Sequence, residues 1–360
     1  MVAVNSLLLL AATTFASPIT PHVLARQDVS TPQNASLPNV TVFSTGGTIA
    51  SQGTTNTQTV GYSVGLGVED LIDAVPEILD IANIDGYQIS NVGSPSINST
   101  ILLKLHSMVQ AELEKPEVSG VVITHGTDSL EETAFFLELT INSTKPVVIV
   151  GAMRPATALS ADGPLNLLQA VTLASSPKAR GRGTMITLND RIGGAYVTTK
   201  NNANSLDTFF STEAGQLGFF INQVPYFYYE PARPVGLVYF DLANATTLPK
   251  IDVLYAHQDM DPELASGAVL LGAEGLVVAG MGAGGVSSAA SEVLETIYNT
   301  TSIPLVSSHR SADGFVSPGD YMIAGGFYNP QKARILLQLA VATGKTREEI
   351  RELFALNYPA

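Results

Sequence analysis

The segment Val40-Thr41-Val42-Phe43-Ser44-Thr45-Gly46-Gly47-Thr48 decides how the rest of the chain is read. Its β-branched and aromatic run has the composition of a strand buried on both faces, and the glycine pair ends that run with a hydroxyl residue beyond it. The phrase returns at Val121-Val122-Ile123-Thr124, ahead of His125-Gly126-Thr127-Asp128, at Val147-Val148-Ile149-Val150, ahead of Gly151-Ala152, and at Met185-Ile186-Thr187-Leu188. Helix-like segments follow. Ser129 to Glu132 has the spacing of a capping box, and Asp162 stands where it could cap a helix opening on Gly163-Pro164. Strand, turn and helix in repetition predict an α/β fold whose largely parallel sheet carries helices on both faces.

Between Val224 and Pro249 the phrase gives way to aromatics and prolines. It resumes with Ile251–Tyr255, Gly275–Ala279 and Pro304–Ser307 as strands and a helix from Asn329. A chain of 360 residues exceeds the size at which single cores stop growing. The expectation is therefore two three-layer α/β/α domains: a larger N-terminal one with a mostly parallel sheet at 38–235, a linker at 236–250, and a smaller C-terminal one at 251–360. Residues 17–37 mix Pro, Ser, Thr and Gln without periodicity, and read as a propeptide or flexible arm outside the fold.

Charge narrows the partners. A formal net charge of −14, with no basic cluster to offset it, excludes nucleic acid and anionic membrane surfaces. The apolar run Ser6–Ala12 followed by Thr14-Phe15-Ala16 reads as a signal peptide over 1–16, although its first residues hold no Lys or Arg. Sequons at Asn34, Asn39, Asn98, Asn142, Asn244 and Asn299 support the same expectation: a secreted glycoprotein, extracellular or held in the cell wall or periplasmic space. The chain has no cysteine, so core burial or subunit association must stabilise it without disulfides.

In open parallel sheets, ligands gather outside the carboxyl ends of the strands. Two of the most polar loops stand there: Ser44–Thr48 and Thr124–Asp128. Either alone is ordinary turn chemistry. Together they offer a hydroxyl nucleophile, an acidic partner and helix N-terminal N–H groups for a developing charge, provided Thr48, Thr127 and Asp128 converge.

These residues resemble the bacterial-type L-asparaginases, in their secreted type II branch. The resemblance runs from about Leu37 to the end. It rests on Thr45–Ala50, Val122–Asp128 with Glu131-Glu132-Thr133, Val150–Pro155, Ser160–Pro164 and Asn329–Arg334. It implies hydrolysis of the asparagine side-chain amide to aspartate and ammonia, without metal or organic cofactor, in a homotetramer with sites at subunit interfaces. By the same resemblance Thr48 is the nucleophile and forms an acyl-enzyme, Tyr62 assists proton transfer, and Thr127, Asp128 and Lys200 form the second catalytic group. Ser94 would hold the substrate α-carboxylate, Asp128 its α-ammonium, and Ala152 a backbone group near the amide oxygen. The chain departs from the family at Pro95, where many relatives carry Gln, and at Ala283, where many carry Asn. Asp320 is the candidate for the acidic residue a neighbouring subunit contributes.

Other readings compete. A dual glutaminase-asparaginase differs from an asparaginase by one substrate methylene. Gly61-Tyr62-Ser63-Val64-Gly65 has the spacing of a serine-esterase elbow on Ser63, but the residues ahead of it are polar rather than a strand. Gly280-Met281-Gly282-Ala283-Gly284-Gly285 matches a dinucleotide-binding fingerprint without an acidic residue at the right distance beyond. A secreted amino-acid-binding module without catalysis is the non-enzymatic option. His125 is expected to orient backbone.

Overall fold

A computed structural model describes residues 28–358. The expected signal peptide and the first part of the expected arm lie outside the described residues. The larger domain opens with strands β1 (Asp28–Ser30), β2 (Asn39–Gly46), β3 (Ser51–Gln52) and β4 (Ser63–Val64), then helix α1 (Val68–Asp73). It continues through β5 (Asn83–Val92), α2 (Ser99–Glu114), β6 (Val118–Thr124), α3 (Leu130–Thr140), β7 (Val147–Val150), α4 (Gly163–Ser175) and β8 (Thr184–Leu188). Five short strands close it: β9 (Arg191–Gly194), β10 (Thr199–Lys200), β11 (Phe209–Phe210), β12 (Gly218–Ile221) and β13 (Val224–Phe227).

The principal sheet has nine strands in the order β1-β5-β2-β6-β7-β8-β9-β12-β13. Its central five, β5 to β8 in that order, are parallel, while β1 on one flank and β9, β12 and β13 on the other are antiparallel. Alternate residues feed two cores. Phe43, Val121, Ile123 and Ile149 pack with residues of α2 and α3 on one face, and Val40, Val42, Val122 and Val148 with residues of α1 and α4 on the other. Burial of both faces is why these strands read as nearly continuous apolar and β-branched runs.

The smaller domain is a parallel sheet, β14 (Ile251–Tyr255), β15 (Gly275–Gly280), β16 (Leu305–His309) and β17 (Ile323–Ala324), with helices α5 (Leu264–Leu270), α6 (Ser288–Thr300), α7 (Pro330–Ala342) and α8 (Arg347–Ala355). The domains share apolar packing. Phe135 and Tyr196 from the larger and Tyr328 and Leu336 from the smaller belong to one buried cluster. A two-domain α/β fold with a large mixed sheet and a small parallel one matches the expected class.

Three local expectations change. Residues 28–37 are part of the fold: Val29 pairs antiparallel with Gly86, Thr31 N donates to Ile84 O at 2.9 Å, and Asn34 N donates to Asn83 Oδ1 at 2.7 Å. Polar, proline-containing sequence suits an edge strand, and that composition concealed it. Ser129 makes no side-chain cap on α3, because its hydroxyl donates instead to Ser94 O at 2.8 Å. Asp162 makes no cap on α4 either. Its carboxylate accepts from Met153 N and Arg154 N, each at 2.9 Å, and so holds the loop behind β7.

Candidate active site

The site grows from the carboxyl ends of β5, β2 and β6, which are neighbours in the sheet. Gly46 and Gly47, at φ of +103° and +83°, turn the chain out of β2 in a conformation that L side chains rarely adopt. Gly47 N donates to Val92 O at 3.0 Å, so the turn is held against the end of β5. On its other side a Cβ on Gly47 would lie 2.2 Å from Gly126 Cα, and one on Gly126 would lie 2.8 Å from Ser94 Oγ. The absence of side chains at these two glycines lets three loops close on one another. Thr48 follows Gly47 directly, and its Oγ1 lies 3.0 Å from the Tyr62 hydroxyl.

The second group assembles on the β6 side. Lys200 Nζ donates to Thr127 Oγ1 at 3.0 Å and to Asp128 Oδ1 at 2.7 Å. Lys200 is drawn in, at 13% side-chain exposure, whereas the Asp128 side chain is 63% exposed and open to an incoming group. Ser94 is buried, and its Oγ accepts from Asp128 N at 3.1 Å, which leaves its own hydroxyl proton free to donate. Ala152 is fully buried just beyond β7, and Gly151 before it approaches the Thr127 side chain and His125 O closely. The sequence-derived residues Thr48, Tyr62, Ser94, Thr127, Asp128, Ala152 and Lys200 therefore fall on one connected edge of the sheet.

His125 is fully buried, and loss of solvation pushes it down to about 4, against a smaller upward pull from its bond to Gly126. Nδ1 lies 2.7 Å from Gly126 O, an acceptor, so Nδ1 carries the proton and Nε2 accepts from the Thr133 hydroxyl at 2.9 Å. A neutral ring with both nitrogens engaged orients the loop that carries Thr127.

Two charged residues that the sequence reading left without a role stand behind Lys200. The Glu131 carboxylate receives Thr199 Oγ1, Lys200 N at 3.4 Å, Asn329 Nδ2 at 3.3 Å and Gln331 Nε2 at 3.3 Å. Lys332 is buried at 3% exposure, and desolvation pushes its ammonium down to about 8, opposed by Glu131 and Glu138. A helical signal marked both. Lys332 shares an apolar stripe with Ile335, Leu336 and Leu339, and Glu131 one with Ala134 and Phe135, where a charge needs a partner.

The rival motifs lose their context. Ser63 is exposed on the two-residue β4, paired antiparallel with Gln52, and no helix follows it directly. The glycine loop after β15 closes on itself through two mutual 2.7 Å bonds between Met281 and Gly285. A Cβ on Gly280 would strike Gly284 at 2.3 Å. The loop is a closed turn of its own, and α6 begins only at Ser288, so the glycines do not open a helix as the dinucleotide fingerprint requires.

Fold and site define an α/β enzyme whose polar loops crowd the carboxyl edge of a parallel sheet. Residues 39–233 match the family model for the asparaginase N-terminal domain, and residues 250–354 match the glutaminase/asparaginase C-terminal domain. The chain is 54% identical to L-asparaginase 2-3 of Saccharomyces cerevisiae, over 91% of this chain and 92% of that protein. It is 45% identical to L-asparaginase 2 of Bacillus subtilis, over 90% and 88%. The crystal structure of a probable cytoplasmic L-asparaginase from Campylobacter jejuni matches with a TM-score of 0.85 at 38% identity, covering 89% of this chain and all of that one. The chain belongs to the asparaginase family.

The Campylobacter relative is by name a cytoplasmic enzyme, and that finding overturns the expected secreted localisation. The expectation rested on a short apolar run without a basic residue ahead of it. Sequons recur by composition in a chain rich in Asn, Ser and Thr.

Proposed function

We propose that this protein hydrolyses the side-chain amide of L-asparagine to L-aspartate and ammonia. The observation that carries the reading is the pairing of two threonine hydroxyls with proton partners on one sheet edge: Thr48 with Tyr62 and Thr127 with Lys200, each at 3.0 Å. The asparaginase names of its relatives support the same reaction.

Thr48 Oγ1 attacks the amide carbon while Tyr62 takes its proton. Backbone at Ala152 stabilises the oxyanion, and collapse of the tetrahedral intermediate, with proton return to nitrogen, releases ammonia and leaves an aspartyl ester on Thr48. A water whose proton passes towards Thr127, polarised by Lys200, attacks that ester, releases aspartate and restores Thr48. Asp128 takes the α-ammonium and the Ser94 hydroxyl the α-carboxylate, both as charge-assisted hydrogen bonds.

A homotetramer with sites at subunit interfaces belongs to the same reading, with Asp320 the candidate acidic contribution of a neighbouring subunit; the exposed Asp128 side chain leaves room for such a contribution. A glutaminase side activity is the second reading, favoured by Pro95, which leaves the position beside Ser94 without a backbone N–H donor or an amide side chain. Turnover tests the main proposal. Ammonia and aspartate should appear in equal amounts from L-asparagine, and saturable asparagine binding without product would make the protein a binding module instead.

A further inference from the structure

Lys332 carries an ammonium into the seam between the domains. Nζ donates to Thr198 O at 2.7 Å and to Tyr196 O at 3.1 Å, with the Phe135 ring centre 5.8 Å away. Those carbonyls belong to the turn that leads directly into β10 and Lys200. On the other side of the same backbone, Glu131 receives Thr199 Oγ1 and Lys200 N. Lys332 and Asn329 stand at the start of α7 in the smaller domain, and Glu131 in the first turn of α3, just behind Thr127 and Asp128. The backbone from Tyr196 to Lys200 is thus gripped by one helix from each domain, Lys332 holding the turn and Glu131 the strand that follows it. Burying a charge is costly, and an apolar residue on this stripe would pack beside Ile335 and Leu336 without that cost. Packing alone does not account for an ammonium here.

We propose that Lys332 is a positioning residue for amide hydrolysis: from the smaller domain, its ammonium fixes the Tyr196 and Thr198 carbonyls and so sets the reach of Lys200 to Thr127 and Asp128. The proposal rests on the role of Lys200 given under the proposed function. A displacement of about 1 Å at a catalytic group costs on the order of 100-fold in rate, which is the effect expected when the grip is removed.

The test uses the full chain in its native assembly, with kcat and KM on L-asparagine and thermal unfolding followed for Lys332→Met, Lys332→Gln, Lys332→Ala and Lys200→Met. Lys332→Met is expected to lose about 100-fold in kcat with KM within about threefold, because substrate contacts are untouched. Lys332→Gln, which keeps a donor, should retain more activity than Lys332→Met. Lys332 also lines a cavity of about 300 Å³ between the domains, so Lys332→Ala opens a hole that a small cation can enter. Ethylammonium in the assay should restore part of kcat to Lys332→Ala and none to Lys200→Met. Wild-type kcat in Lys332→Met overturns the proposal, and so does a Lys332→Ala loss that ethylammonium leaves unchanged. Should Lys332→Met fail to fold, the Gln variant and the amine-treated Ala variant decide the question alone. Wild-type kcat in Lys200→Met would instead defeat the assignment of Lys200 itself, so the two failures are distinguishable.

Discussion

Gly47 and Gly126 meet backbone to backbone: a Cβ on Gly47 would fall 2.2 Å from Gly126 Cα and 2.3 Å from Gly126 N. The contact joins the loop carrying Thr48 to the loop carrying Thr127, so the two hydroxyls are held by main chain rather than by flexible side chains.

Replacing Gly47 by Ala should therefore separate the loops. The native φ of +83° adds backbone strain of about 1–3 kcal/mol to the steric overlap. The expected outcome is a lowered melting temperature together with a fall in kcat on the order of 100-fold, read from ammonia release. A variant with wild-type kcat contradicts the account of the contact.

Lys200→Met should separate chemistry from stability. Its ion pair with Asp128 has one largely exposed partner, and such pairs contribute roughly 0–1 kcal/mol to folding. Thermal unfolding should move little, while kcat falls by about 10²–10⁴-fold, the range for removal of a group assisting proton transfer. Comparable losses in both would mean that Lys200 is structural.

Two buried groups act on stability with opposite sign as pH changes. Burial pushes Glu138 up to about 7 from 4.5, against the pull of Arg233 at 3.0 Å. The folded state then holds a proton that the unfolded state has lost, so the contribution of Glu138 is full below pH 4.5 and disappears as pH rises to about 7. Burial pushes His125 down to about 4 from 6.5, so its contribution is full above pH 6.5 and disappears as pH falls to about 4. Glu138→Gln should remove the first dependence and leave the second. Melting temperature against pH for this variant should fall below pH 6.5 more steeply than for the wild type; parallel curves would contradict the assignment of Glu138, and a variant whose melting temperature does not fall between pH 6.5 and 4 would contradict that of His125.

Substrate preference follows from pocket size. An asparagine pocket discriminates against the extra methylene of glutamine by about 10–200-fold in kcat/KM. Equal kcat/KM for the two amides would make the protein a dual glutaminase-asparaginase instead.

The strands that build the site were legible because they are buried on both faces: Val40, Val42 and Phe43 are interrupted only by the β-branched Thr41, and Val121, Val122 and Ile123 by nothing. The strand β5, which delivers Ser94, was not. Its segment Asn83–Val92 mixes apolar residues with polar ones such as Asp85, Gln88 and Ser90, and Gln88 is buried because it bonds Val68 N and Ser44 O, a tertiary contact that no local pattern shows. Helix α2 went unnamed too, its apolar positions being spread among Ser, His and Gln. Thr48, Thr127 and Asp128 were legible as residues at strand ends. Lys200 was legible only through resemblance, since it reaches Thr127 over 73 residues of chain through the short strand β10. Glu131 and Lys332 were visible in the motifs, but their work depends on a contact between domains that no local pattern announces.

The most direct test of the central claim compares ammonia release from L-asparagine by the wild type, Thr48→Ala and Ser63→Ala under identical conditions. The account predicts that Thr48→Ala loses activity by several orders of magnitude while Ser63→Ala, altered at an exposed position on β4, stays near the wild-type rate. An active Thr48→Ala beside an inactive Ser63→Ala would contradict it.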